Sequence, residues 1–351
     1  MLCLLLAAAC GGSGDGPTTP SGATPSGSSG ATGSPGATGS PGASASPGAA
    51  VPGAPAAAAA DLKRVGADEL GAVPVLMYHQ LVPHPAGVYD QTPAQYRAEL
   101  TKLYEQGYRT VTAADFVAGR ISVPAGTSPM VLTFDDSTTN QYSERPDGSV
   151  DPGTAIGILL DVGHAHGEER PVATLYVNRE PFANHPEYLP KLAALGMEIG
   201  DHTASHANLR QLSDAGVQSE LAKGSKVITD AVPGAQVRTL ALPFGVSPRN
   251  RALASKGRSD AGSYAFEGVM LVGANPSVSP FSERFEPAAV ARIRSGRRTG
   301  DQAFTSTDWL PKLASGDVTR YVSDGDPDHV SFPKAKADRL APRFQDVARP
   351  Y

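Results

Sequence analysis

The chain has 351 residues, a formal net charge of -5 and a sequence pI near 5.9. That balance gives no reason to expect nucleic acid as a partner, and it does not repel a neutral or cationic ligand. The two cysteines are Cys3 and Cys10, and Cys3 falls inside an N-terminal segment expected to be removed, so no disulfide is expected within the mature chain.

Residues Leu2 to Ala9 form a short apolar run ending in Ala7-Ala8-Ala9-Cys10-Gly11. The run has the length of a signal-peptide core and is too short to span a bilayer. Small residues before a cysteine resemble a bacterial lipoprotein signal, although no Lys or Arg precedes the run and Leu6 sits one place earlier than is usual. Residues 1–10 are therefore expected to be a signal peptide with a lipobox-like end, and Cys10 the lipidated first residue of the mature chain. Residues 13 to 60 are almost wholly Gly, Ala, Ser, Thr and Pro, with Asp15 the only charge. Such a stretch cannot bury enough apolar surface to offset its ordering entropy. Residues 11–60 are expected to be a disordered tether with an r.m.s. span of roughly 40 Å. The expected location is the outer face of the cell membrane, held there by the lipid, or outside the cell if the segment is a plain secretory signal.

About 290 residues remain, the size of one α/β barrel domain. Pro74 to His79 reads as a buried strand with a polar tip. Thr92-Pro93-Ala94-Gln95 combines an N-cap, proline at the first helical position and Gln at the third, a capping box. Tyr96, Leu100 and Leu103 then form one apolar stripe, and Gly107 stops the helix. Strands are expected over Tyr108 to Thr112, Met130 to Phe134, Val172 to Val177, Met197 to Gly200 and Arg238 to Leu242. Helices are expected over Thr154 to Val162, from Tyr188 to Leu195, and after the cap Ser213. Ser137 to Pro152 reads as a polar surface loop. Beyond Gly245 the pattern weakens: Gly268 to Gly273 and Val290 to Ile293 are candidate strands, Trp309 to Leu313 a helical turn. Part of the tail after Asp324 is expected to be irregular. In such strand-helix alternation the active groups collect at the C-terminal ends of the strands, where His79, Asp135, Asp136, His202 and Phe244 all fall.

Thr133-Phe134-Asp135-Asp136 and His202-Thr203-Ala204-Ser205-His206 carry the chemistry. A catalytic zinc site has three N or O ligands and an open position for water, and Asp136, His202 and His206 supply such a set. Asp135 is then free to take a proton from the attacking water. Neighbours on a regular strand point to opposite faces, so both carboxylates enter one site only if the strand ends or bends there. Thr203 stands where a zincin would carry Glu, which excludes that metalloprotease class.

These two motifs resemble the first two of the polysaccharide deacetylases, the NodB-homology or carbohydrate esterase family four domain. The resemblance implies a distorted (β/α) barrel of about seven strands over residues 73–320, followed by a C-terminal extension over 321–351. It implies metal-dependent removal of acetyl groups from glycans, with Asp135 as general base and Asp136, His202 and His206 holding the metal. Pro74 to His79 is similar to a segment of a permuted subgroup that includes poly-N-acetylglucosamine deacetylases, which implies that His79 is the general acid. The third motif falls at Ala241-Leu242-Pro243-Phe244, and Pro243 and Phe244 are expected to contact substrate. Two departures stand out: Ser137 replaces the usual Gly after Asp-Asp, and Ala241 replaces the Arg that normally pairs with the base.

The expected activity is deacetylation of an N-acetylated cell-wall or cell-surface polysaccharide, with zinc as the metal and cobalt or nickel as substitutes. The expected partners are the acetylated glycan and the membrane, and the expected state is a monomer. A degenerate member that binds glycan without turning it over stays open, motivated by Ser137 and Ala241, as does an O-acetyl esterase of the xylan type. The remaining histidines, His84, His164, His166, His185 and His329, are expected to be solvated. Trp309 and Tyr264 are expected to pack in the core or at the rim rather than against sugar rings.

Overall fold

The structure is a computed structural model that describes residues 59–296 and 304–351. The expected signal segment, Cys10 and nearly all of the expected tether lie outside the described residues. The main sheet contains β1 (Val75–Tyr78), β2 (Tyr108–Val111), β3 (Ser128–Phe134), β4 (Thr174–Val177), β5 (Glu198–Asp201), β6 (Thr239–Ala241), β7 (Gly268–Met270) and β8 (Ile293–Arg294). The order across the sheet is β7-β6-β5-β4-β3-β1-β8, with β2 beside the first half of β3, and every pairing is parallel. Seven strands make up that path, in agreement with the barrel of about seven strands that the resemblance implies, and β2 lies off it.

All seven residues of β3 are buried, as a central parallel strand covered on both faces requires. Alternate side chains feed two cores. Val75, Val111, Val131, Tyr176 and Met270 pack together inside the curled sheet, while Leu76, Tyr78, Leu132, Phe134, Leu175 and Val177 face the outer helices. The capping box forms as the sequence indicates: the Thr92 hydroxyl accepts from the Gln95 amide at 3.1 Å and the Gln95 side chain accepts from the Thr92 amide at 2.9 Å. Tyr96, Leu100 and Leu103 on helix Pro93–Glu105 then meet the strands.

The segment 290–294 closes the sheet into a distorted barrel. The Val290 amide donates to Val269 on β7 at 2.9 Å, and its carbonyl accepts from Leu271 at 2.9 Å. Three residues later Ile293 and Arg294 pair with Leu76 and Met77 of β1. Sequence periodicity gives no warning of this, because five residues are too few to carry a pattern.

The tail after Asp324 consists of 3-10 turns and a short parallel pair, Val330–Phe332 with Ala348–Pro350. Its anchor is Glu69, a buried carboxylate that accepts from the Tyr321 hydroxyl at 2.9 Å and the Ser331 amide at 2.8 Å. Ser137 to Pro152 is a surface loop only in its second half. Gln141 and Tyr142 are fully buried, and the Gln141 amide donates to the carbonyls of both His79 and Asp135, so this stretch braces the strand ends. Tyr264 is buried, with its hydroxyl on the Leu253 carbonyl, and Trp309 donates to the Ala274 carbonyl. His84, His164 and His185 are exposed, whereas His166 and His329 are half-buried, His329 against Asp326.

Candidate active site

β3 stops at Phe134, and this resolves the difficulty of two adjacent carboxylates. Asp135 continues the alternation inward and is buried, while Asp136 has φ 76 and Ser137 φ 48, so the chain turns sharply and swings the second carboxylate into the same cleft. A left-handed residue with a side chain costs on the order of 1–2 kcal/mol. At Ser137 the surroundings hold the turn: its hydroxyl bonds Asn178 at 3.0 Å and its carbonyl accepts from the Phe182 amide at 2.7 Å. The departure from Gly is therefore accommodated as strain, with the turn preserved.

The histidines sit on a second strained turn beyond β5, with Thr203 at φ 64 and His206 at φ 53. Helix Asp214–Ala231 pins it. Buried Asp201 accepts from the Thr203 amide at 2.6 Å and the Ser225 hydroxyl at 2.8 Å. Gly224 permits that approach, since a Cβ there would lie 2.3 Å from Asp201 Oδ1. Burial pushes the Asp201 carboxyl up to about 7. Clustered backbone strain of this kind persists where the surrounding structure over-determines it, and it is characteristic of active sites.

Asp136, His202 and His206 converge: Asp136 Oδ1 lies 3.4 Å from His202 Nε2 and 3.5 Å from His206 Nε2. One ligand atom from each lies within 4.8 Å of the others. His202 Nδ1 donates to the Ala241 carbonyl at 2.8 Å, which points Nε2 into the cleft, where it is buried without a hydrogen bond. A carbonyl on one ring nitrogen and an orphaned lone pair on the other is how a metal-ligating histidine is held. The donor set, one carboxylate and two imidazoles, fits a divalent cation such as zinc. Ala241 thus contributes through its backbone at a position where its side chain has nothing to offer.

The guanidinium missing from that position comes from Arg292. It is fully buried, and its Nη1 and Nη2 donate to Asp135 Oδ1 and Oδ2, both at 2.7 Å. Nη1 also reaches the Thr133 hydroxyl at 3.1 Å, and Nε donates to the Leu271 carbonyl at 2.6 Å. Burial alone would raise the Asp135 carboxyl, but Arg292, with lesser help from His202 and His79, holds it well below the usual range. Sequence reasoning missed this residue. Its signal, an Arg in the candidate strand Val290 to Ile293, means nothing until barrel closure sets it beside β3.

His79 Nε2 lies 3.9 Å from Asp135 Oδ2, and its Nδ1 is buried without a partner. Burial lowers its pKa, with the Asp135 and Asp136 carboxylates opposing. Phe244, at φ 59 and 59 % exposed, packs edge-on against His206 at 4.7 Å. On the other side Tyr89, 39 % exposed, packs against His79 at 4.5 Å. Pro243, expected to contact substrate, is instead buried and serves to turn the chain into Phe244.

A family model described as polysaccharide deacetylase matches residues 167–258. That stretch holds His202, His206 and Phe244, whereas His79, Asp135, Asp136 and Arg292 join them through the fold. The chain is 33% identical over 122 residues to a chitooligosaccharide deacetylase of Bradyrhizobium sp. (strain ANU 289), covering 35% of this chain and 48% of that protein. It is 26% identical over 121 residues to a chitooligosaccharide deacetylase of Sinorhizobium fredii, covering 34% and 49%. The match spans about half the length of these curated relatives. A polysaccharide deacetylase from Bacillus cereus has a similar fold, with TM-score 0.51 at 20% identity over 70% of this chain and 68% of that one. Motifs, barrel and family match agree on a polysaccharide deacetylase domain of the NodB-homology type, carbohydrate esterase family four, which the family model matches over residues 167–258.

Proposed function

We propose that the protein is a metal-dependent hydrolase that removes acetyl groups from an N-acetylated polysaccharide of the cell wall or cell surface. The observation that carries this reading is the convergence of Asp135, clamped by Arg292, with the open-sided trio Asp136, His202 and His206. A divalent cation held by that trio would polarise the acetyl carbonyl and acidify a water, which a base as weak as the clamped Asp135 requires. Asp135 takes the proton of the attacking water. Arg292 keeps Asp135 ionised and aimed. His79, within reach of Asp135, delivers a proton to the departing amine nitrogen and recovers one from Asp135 as acetate leaves. Phe244 and Tyr89 offer apolar faces for sugar rings on either side.

The reading of a degenerate glycan-binding protein loses its motive, because Ser137 preserves its turn and Arg292 supplies the guanidinium. The O-acetyl esterase reading shares every group above and differs in the leaving atom. Acetate release from chitooligosaccharide and from peptidoglycan, abolished by a chelator and restored by zinc or cobalt, tests the proposal. No release from any acetylated glycan, with zinc bound, overturns it. We further propose export and anchoring through Cys10, supported by the Leu2 to Ala9 run. A Cys10→Ser variant should then leave the membrane fraction.

A further inference from the structure

Among the described residues two arginines are buried, and they differ in one respect. The Arg292 side chain reaches four acceptors, whereas the side chain of Arg294, 7 % exposed, has no hydrogen bond or ion pair among the described residues. Its guanidinium nitrogens are not among the fully buried unpaired atoms, so the side chain is mostly enclosed while its N–H groups still open to solvent, where an anion could meet them.

Its position tells what that anion is. Residues two apart on a strand share a face, and Ile293 and Ser295 look outward, Ile293 into the helix-facing core and Ser295 onto Glu99 at 2.7 Å. Arg294 therefore lies on the inner face with Arg292, one step nearer the C-terminal rim. In register it sits beside Met77, two residues before His79, a separation of roughly 7 Å along the strand. The guanidinium carbon stacks on the Tyr89 ring at 5.6 Å, and the other neighbour of that ring is His79. Stacking through the face leaves the N–H edges free, the geometry that grips a carboxylate through two parallel hydrogen bonds.

We propose that Arg294 and Tyr89 form a subsite for a carboxylate on the glycan, close to the acetamide being cleaved, so that the substrate is an acidic N-acetylated polysaccharide. The carboxylate belongs either to a lactyl ether or to a uronic acid. This deepens the deacetylase reading and rests on it for the word substrate, but the subsite itself is tested by binding alone.

The metal-free full chain is titrated calorimetrically with N-acetylated oligosaccharides bearing lactyl carboxylates, with the same sugars after amidation of those carboxylates, and with oligosaccharides bearing uronic acid. The wild type should bind a free carboxylate on the order of tenfold more tightly than its amidated form, and whichever acid binds better names the source. In Arg294→Gln that ratio should fall to about one, and in Arg294→Lys it should be intermediate. Equal binding of free and amidated sugars by the wild type overturns the proposal, as does an unchanged ratio in Arg294→Gln. Acetate release from the same sugars reads out the deacetylase activity separately, so preference for the acid without turnover would sink only the hydrolase.

Discussion

Arg292 and Asp135 meet through two parallel hydrogen bonds of 2.7 Å, both side chains buried, across 157 positions of sequence. The pair joins the segment that closes the barrel to the strand that delivers Asp135, so the proposed catalytic geometry depends on fold closure. Arg292 is a positioning residue, and its effects should be visible in both stability and pH dependence.

Replacing Arg292 by Gln leaves Asp135 buried without its counter-charge, and breaking a buried pair in this way costs about 3–5 kcal/mol. The depressed carboxyl contributes stability that is complete above its ordinary value of 3.8 and is lost as pH falls through the lower folded value. The Gln variant should therefore lose stability at neutral pH and show a smaller further loss in acid. Urea unfolding at a series of pH values measures this. Arg292→Lys, which keeps charge but not the fork, should fold and lose activity by roughly 10–100-fold, with the acidic limb of the kcat profile moved upward.

His206 lies at the exposed side of the trio and should be removable without unfolding. His206→Ala should weaken zinc binding by at least about 100-fold, more than the loss of an outer partner would. Competition with a chromogenic chelator reports it. Unaltered zinc affinity would mean that the cation, if bound, sits elsewhere.

His79→Ala should lower kcat by on the order of 10²–10⁴ while zinc affinity stays within a few-fold, because His79 is assigned to proton transfer and not to the metal. A parallel fall in zinc affinity would reassign it as a ligand.

Glu69 gives a test of the fold away from the cleft. Burial, then the nearby Asp324 carboxylate, pushes its pKa from 4.5 up to about 8, with the hydrogen bonds from Ser331 and Tyr321 opposing. The folded chain then holds a proton that the unfolded chain has released, so stability is fullest below about 4.5 and declines as pH rises through about 8. Glu69→Gln should flatten that decline in thermal unfolding followed between pH 5 and pH 9.

Local chemistry made much of the chain readable in advance. The Thr92 and Gln95 capping box, the apolar run into Asp135-Asp136 and the His202 to His206 spacing each lie within a few residues, and each depends on forces that act at that range. Strand ends of a parallel barrel share one rim, so placing His79, Asp136 and His202 there needed only the alternation of elements. What the loop at 137–152 does was half legible: its polar tip is plain, but the burial of Gln141 beneath two strand ends follows from packing.

The sequence by itself marked most of the main strands and helices and singled out Asp135, Asp136, His202 and His206 as the candidate base and metal ligands, because periodicity, caps and motif spacing are written in neighbouring residues. Only the tertiary structure decided that Arg292 clamps Asp135, that the Ala241 carbonyl orients His202, and that Arg294 stands unpaired beside Tyr89. Each of these joins residues brought together when segment 290–294 closes the sheet or when β6 comes to lie against β5. An interaction set by closure leaves no local pattern, since the energy that selects it comes from partners far away in the chain.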